Sequence, residues 1–164
     1  MDLSKFSDEE LFLSAIKNEV DSNMIYSKLA EVVKNAFLKD KLLFLANEED
    51  KHRECLEKAF NNRFPGREIV LPEKTYVPLP ELSIPEENVL VSEVIDQAME
   101  AELAAKEFYE VFAERFEDVP DLKQLFEYFA IMELSHYRIL EVEKENMEIF
   151  EKYDDYWPMM HIGT

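Results

Sequence analysis

Glycine is nearly missing from this sequence, with two in 164 residues. So few glycines, beside abundant Glu, Lys, Leu and Ala, point to an all-α protein. Cysteine occurs once, as Cys55, which excludes an internal disulfide and any metal site built from four thiolates. Positive charge is also short: 18 basic against 37 acidic residues gives a formal net charge of -19. An anionic surface of that kind repels nucleic acid and anionic membranes, so neither is expected as a partner. No apolar run approaches the length of about 18 residues that a membrane helix needs. The opening stretch MDLSKFSDEE is acidic and amphipathic and does not read as a signal peptide. A soluble cytoplasmic protein is expected. What the chain does have is 47% hydrophobic and 12% aromatic residues, enough for one domain spanning 1–164 with a real core.

Apolar residues recur at helical spacing in four segments. Ser7 and Glu10 are placed for a capping box, and Phe6 and Leu11 for a hydrophobic staple. The inward stripe then runs Phe12, Ala15, Ile16, Glu19, Asn23, Tyr26, Ala30 and Val33. A second runs Leu42, Leu45, Ala46, Glu49, His52, Leu56 and Phe60, with the junction near 35–38. A third runs Val91, Ile95, Ala98, Met99, Glu102, Ala105, Tyr109, Phe112 and Phe116. The fourth, opening at Pro120 or Asp121, runs Phe126, Phe129, Ala130, Glu133, His136, Tyr137 and Leu140. Between the second and third lie five of the seven prolines: Pro65, Pro72, Pro78, Pro80 and Pro85. No helix runs through them. A helix of about 26 residues spans roughly 39 Å, which about 12 extended residues can cover. Residues 63–86 therefore read as a crossover that makes helices two and three parallel. The expected architecture is a four-helix bundle of two helical hairpins, about 7–62 and 87–150, followed by an irregular aromatic tail over 151–164.

The two hairpins repeat one pattern. Glu19 is followed seven residues on by Tyr26, and Glu102 by Tyr109. Glu49 and His52 in EEDKHREC match Glu133 and His136 in MELSHY, each an E-x-x-H. Two of the chain's three histidines sit in these motifs. A glutamate in an apolar stripe is costly, because an ionised carboxylate taken from water needs a partner or a shifted protonation state. No Lys or Arg lies on the stripes near these four. Two divalent cations would cancel four carboxylates, and the imidazoles add neutral ligands. Glu and His three apart share a helix face and can reach one metal. Oxygen-rich donors with one imidazole per metal suit Fe or Mn better than a closed Zn site.

One Glu from each of two helices, with E-x-x-H from each of the other two, is the donor arrangement of ferritin-like di-metal bundles. On these residues the chain resembles the ferritin-like superfamily, and especially the rubrerythrin-like and bacterioferritin-like di-iron proteins, over about residues 7–150. The resemblance implies an all-α ferritin-like fold with Glu19, Glu49, His52, Glu102, Glu133 and His136 as metal ligands. It makes Glu49 and Glu133 the bridging carboxylates, and Tyr26 and Tyr109 tyrosines that hydrogen-bond ligand carboxylates. Three positions depart from the pattern. Ala105 stands where rubrerythrins usually carry a further glutamate, three residues after the helix-three ligand, on which their iron-shifting peroxidase mechanism rests. Cys55 alone cannot furnish a four-cysteine rubredoxin module. Asp50 stands where bacterioferritins carry a haem-ligating Met, so no haem is expected.

The expected cofactor is two iron ions, with Mn as the alternative. The expected activity is ferroxidase or peroxide-scavenging oxidoreductase, with O2 or peroxide as the reacting partner and an external electron carrier for turnover. The rival readings are a di-iron monooxygenase acting on an organic substrate and a non-catalytic metal-storage protein. A homo-oligomer, a dimer among the options, is expected. Glu48, Asp50 and Glu100 fall off the inward stripes and read as solvated. Cys55 reads as a side-facing inert thiol, Asn23 as polar core, Met159 and Met160 as packing residues, and His161 as no ligand.

Overall fold

The computed structural model describes residues 1–33, 35–80 and 91–156, the side chains of 91–93, 148 and 150–156 apart. Among the described residues there are four helices: α1 Asp8–Val32, α2 Ala36–Arg63, α3 Val91–Glu114 and α4 Pro120–Tyr156. The Ser7 capping box is formed. Its hydroxyl accepts from the Glu10 N–H at 3.2 Å, and its own N–H donates to the Glu10 carboxylate at 2.8 Å. Leu11 is buried and Phe6 packs against the same cluster, as the staple requires.

The first connection is tighter than expected. Instead of a junction at 35–38, Asn35 caps α2 directly, accepting from the N–H groups of Phe37 and Leu38. Helix α2 stops at Phe64, and Gly66 follows with φ 81°, a left-handed conformation suited to glycine. Pro120 opens α4, where its missing N–H costs nothing. Helix α4 continues past 150 to Tyr156, a correction to the irregular tail expected from 151. The sequence IFEKYDDY contains no helix breaker, and Pro158 is the next residue that forbids a helix. The remainder of the expected tail, 157–164 with Met159, Met160 and His161, lies outside the described residues, as do Pro85 and the expected start of helix three at 87.

Helix α1 packs along α2 and α3 along α4, while α2 and α4 touch more lightly. Two apolar clusters sandwich the middle of the bundle. One is aromatic: Phe12 meets Phe60, Phe112 and Phe126 edge-on at 5.3–6.2 Å, and Phe112 stacks on Phe126 at 4.1 Å. The other is aliphatic, with Leu38 and Leu42 from the start of α2 against Val94 and Ile95 from the start of α3. Since both helices begin at that end, they run parallel, as a long crossover demands.

The crossover is pinned by a side chain the sequence pattern did not single out. Ser14, fully buried on α1, accepts from the backbone N–H groups of Tyr76 (3.0 Å) and Val77 (3.4 Å). Val77 and Leu79 then bury against the aromatic cluster. Ser14→Ala strips both N–H groups of their acceptor. A buried donor left unpaired costs about 1–3 kcal/mol, and a domain of this size loses about 2–4 °C per kcal/mol. The thermal midpoint should therefore fall by several degrees; an unchanged midpoint would mean that the crossover is held by its apolar contacts alone. Among the described residues no helix is long and apolar enough to cross a membrane.

Candidate metal centre

Between the two clusters each helix contributes its charged residues at the same level. Glu19 comes from α1, Glu49 and His52 from α2, Glu102 from α3, and Glu133 and His136 from α4; all six are buried. They form two overlapping groups of four, Glu19–Glu49–His52–Glu133 and Glu49–Glu102–Glu133–His136. Within each group one donor atom per residue lies within 4.8 Å of the others.

Both histidines turn Nδ1 toward the carboxylates. His52 Nδ1 lies 3.4 Å from Glu49 Oε2, 3.4 Å from Glu133 Oε1 and 3.6 Å from Glu19 Oε2. His136 Nδ1 lies 3.2 Å from Glu49 Oε1, 3.4 Å from Glu133 Oε2 and 3.6 Å from Glu102 Oε2. Each of Glu49 and Glu133 thus presents one oxygen to His52 and the other to His136. Glu19 and Glu102 serve one side each. The imidazoles stack with centroids 5.4 Å apart, and Phe129 covers His52 at 4.8 Å.

The tyrosines cross between hairpins. Tyr26 on α1 donates its hydroxyl proton to Glu102 on α3, and Tyr109 on α3 donates to Glu19 on α1. The Glu-x6-Tyr repeat indicated the residue pairs but not this exchange. Asn23 stays outside the centre: its amide donates to the Ala46 carbonyl at 2.6 Å and ties α1 to α2. Glu48 is paired with Lys51 and Asp50 with Arg53 on the outer face of α2, while Glu100 and Cys55 are exposed.

Without metal the charges distribute unevenly. Burial, then the neighbouring charges of Glu133 and Glu49, push the Glu19 and Glu102 carboxyls well above their ordinary range. Burial pushes Glu49 and Glu133 the same way, but the two imidazoles facing them at 3.2–3.4 Å win and hold both below it. Burial would lower the histidines. The surrounding carboxylates override it, raising His52 to about 12 and His136 further still. Burial, and for each the carboxylate it touches, raise the Tyr26 and Tyr109 hydroxyls, so both remain donors.

This donor set fits a pair of metal ions. Glu19 Oε2, Glu49 Oε1, Glu133 Oε1 and both ring nitrogens of His52 and His136 are buried without a hydrogen-bond partner among the described residues. Buried polar atoms are rarely left so, and here most of them converge on one place. The outward Nε2 atoms differ from many metal-bound histidines, whose second nitrogen donates to an acceptor.

A family model for Rubrerythrin matches residues 10–144. The chain belongs to the rubrerythrin family. A solved structure of a Pyrococcus furiosus protein, described only as hypothetical, is 37% identical to this rubrerythrin chain. The match covers 91% of this chain and 95% of that one, with a TM-score of 0.80. No curated protein matches. Within this rubrerythrin bundle Ala105 is buried, on the α3 face between Glu102 and Tyr109. The tyrosine hydrogen bonds are testable apart from the six clustered residues. Tyr26→Phe and Tyr109→Phe should each leave metal stoichiometry unchanged and alter affinity or oxidation rate by about 10–100-fold, the usual effect of losing a ligand's outer partner. Unchanged metal binding and unchanged kinetics in both variants would reduce the tyrosines to core packing.

Proposed function

We propose that the protein is a non-haem di-iron carboxylate protein that binds Fe(II) and reacts with O2 or peroxide, as a ferroxidase or a peroxide-scavenging oxidoreductase. The observation that carries this reading is the shared use of Glu49 and Glu133, whose paired oxygens face different histidines. Glu19, Glu49, His52 and Glu133 would hold one metal, and Glu49, Glu102, Glu133 and His136 the other. Four carboxylates balance two divalent ions in charge, and one imidazole per metal in an oxygen-rich set suits Fe, with Mn next. When bound, two adjacent irons supply a two-electron step.

The chain's own residues hold the geometry around that step. Tyr26 and Tyr109 fix Glu102 and Glu19 through their hydroxyl protons, each clasping one hairpin to the other. Phe126 and Phe129, buried and in ring contact with Tyr109, keep water from the aromatic side. Glu49 and Glu133 must give up any proton to metal, which makes loading pH-dependent. Phe112 is likewise buried in ring-to-ring contacts, which favours small oxidants over a monooxygenase's organic substrate. Repeated turnover requires an external electron carrier, and the cytoplasm is the compartment that the composition suits.

The test is anaerobic Fe(II) loading followed by rapid mixing with O2 and, separately, with peroxide. The reading expects oxidation of two irons per chain by at least one of them in a single fast phase. Loaded iron that neither oxidant touches would leave a storage or structural role instead.

A further inference from the structure

Helix α4 is apolar on two sides. Phe126, Phe129, Ala130 and Leu140 face the core and are buried. Tyr128, Ile131, Val142 and Ile149 lie on the opposite side, each half or more exposed. With Ser135, Arg138 and Glu145 they make one face, because positions 128, 131, 135, 138, 142, 145 and 149 are alternately three and four residues apart. That spacing is the seam of a helix that packs along a second helix. A surface helix that serves only its own core carries polar residues there.

Helix α4 also outruns its bundle. From the level of the buried glutamates, α1 ends thirteen residues beyond Glu19, α2 begins thirteen before Glu49 and α3 eleven before Glu102, whereas α4 continues twenty-three beyond Glu133. Met147 still packs against the aliphatic cluster. The end of α4 therefore projects about ten residues, or about 15 Å, past its described neighbours. A helix end without tertiary packing draws little stability from propensity alone.

A second copy of the chain answers both features. A twofold axis level with Leu140 lays one α4 antiparallel on the other and returns the outward face onto itself. Ile131 then lies opposite Ile149 of the second copy, Ser135 opposite Glu145, and Arg138 opposite Val142, each contact occurring twice. Arg138 also comes within one helical turn of Glu141 and Glu145 of the second copy, which sets opposite charges together at the middle of the seam. The projecting end of each α4 lies level with Tyr128 and Ile131 of the other. The overlap runs from 124 to 156, about 50 Å of helix roughly 10 Å wide. Counted on both copies it covers on the order of 1,000 Å², the size at which a specific interface begins.

We propose that the outward face of α4 is a self-association surface, on which two copies of the chain pair antiparallel through Ile131 and Ile149 about an axis level with Leu140.

Sedimentation equilibrium of the full-length chain should give twice the chain mass. Ile131→Glu and Ile149→Lys should each weaken association by about 100-fold or more, because every dimer would set two charges against apolar side chains. Both positions are exposed, so helical content by circular dichroism should not change. Mixing the two variants should restore the dimer. One end of the seam then joins a carboxylate to an ammonium, and the other keeps isoleucine on isoleucine. A parallel pairing would bring each position to itself and could not be rescued in this way. Val70→Glu, in the crossover and as exposed as Ile131 at 64%, should leave the dimer intact. A monomeric wild-type chain overturns the proposal. So does a dimer that persists in both charged variants, or an equal loss in Val70→Glu. A mixture that stays monomeric overturns the antiparallel pairing.

Discussion

Glu49→Ala should weaken both metal positions, each by more than the roughly 10–100-fold that follows loss of an outer partner, whereas His52→Ala should weaken one and leave the other within a few-fold. The asymmetry follows from the oxygens. Glu49 directs Oε2 toward His52 and Oε1 toward His136, so its removal strips a donor from both groups of four. His52 Nδ1 belongs to one group only. Glu133→Ala should behave as Glu49→Ala does, and His136→Ala should mirror His52→Ala at the other position. Stepwise Co(II) titration of the anaerobic protein separates the two affinities. Equal loss at both positions from His52→Ala would contradict the assignment of one imidazole to each metal.

The metal-free protein should melt at progressively lower temperature as pH rises from about 5 to 8. Glu19 and Glu102 have folded values above their unfolded ones, so the native state retains protons that the unfolded chain has released. Their contribution is present in acid and is lost as pH rises through the folded values. His52 and His136 act with the same sign: it is complete below the ordinary histidine value of 6.5 and declines from there toward about 12 for His52. Each extra proton held by the native state gives a slope of about 1.4 kcal/mol per pH unit. Glu49 and Glu133, held low, act in the opposite sense, but only as pH falls below the ordinary carboxylate range. The maximum should therefore lie near pH 5. Metal loading reverses the trend, because the donors must then be deprotonated and acid releases the ions. Self-repulsion of the acidic surface also eases in acid, and Glu19→Gln/Glu102→Gln in the same background controls for it. A double variant with the wild-type slope would mean that these carboxylates are not gathered at one buried centre.

Helical periodicity made the four inward stripes legible because a buried face recurs at 3.6 residues whatever its neighbours do. It also exposed the six charged residues, since ionisable groups in apolar stripes are rare without a purpose. The proline run revealed the crossover for an equally local reason. The tyrosine exchange was not legible. Seven residues place Tyr26 about 10.5 Å along the axis from Glu19, too far for its hydroxyl to serve its own helix. Which carboxylate it does reach depends on how α1 lies against α3. Ser14 was hidden for a similar reason: a serine on a helix signals nothing until the chain segment that donates to it, Tyr76 and Val77, is folded back across. The end of α4 is not legible from pattern either: its aromatic, irregular sequence reads as a tail, although nothing before Pro158 forbids a helix.

The most direct test of the account is the number of metal ions held per chain. Anaerobic titration of the metal-free protein with Fe(II), read by equilibrium dialysis, should saturate at two per chain, as the two groups sharing Glu49 and Glu133 require. Saturation at one per chain would contradict the dinuclear centre and leave Glu49 and Glu133 without a bridge to make.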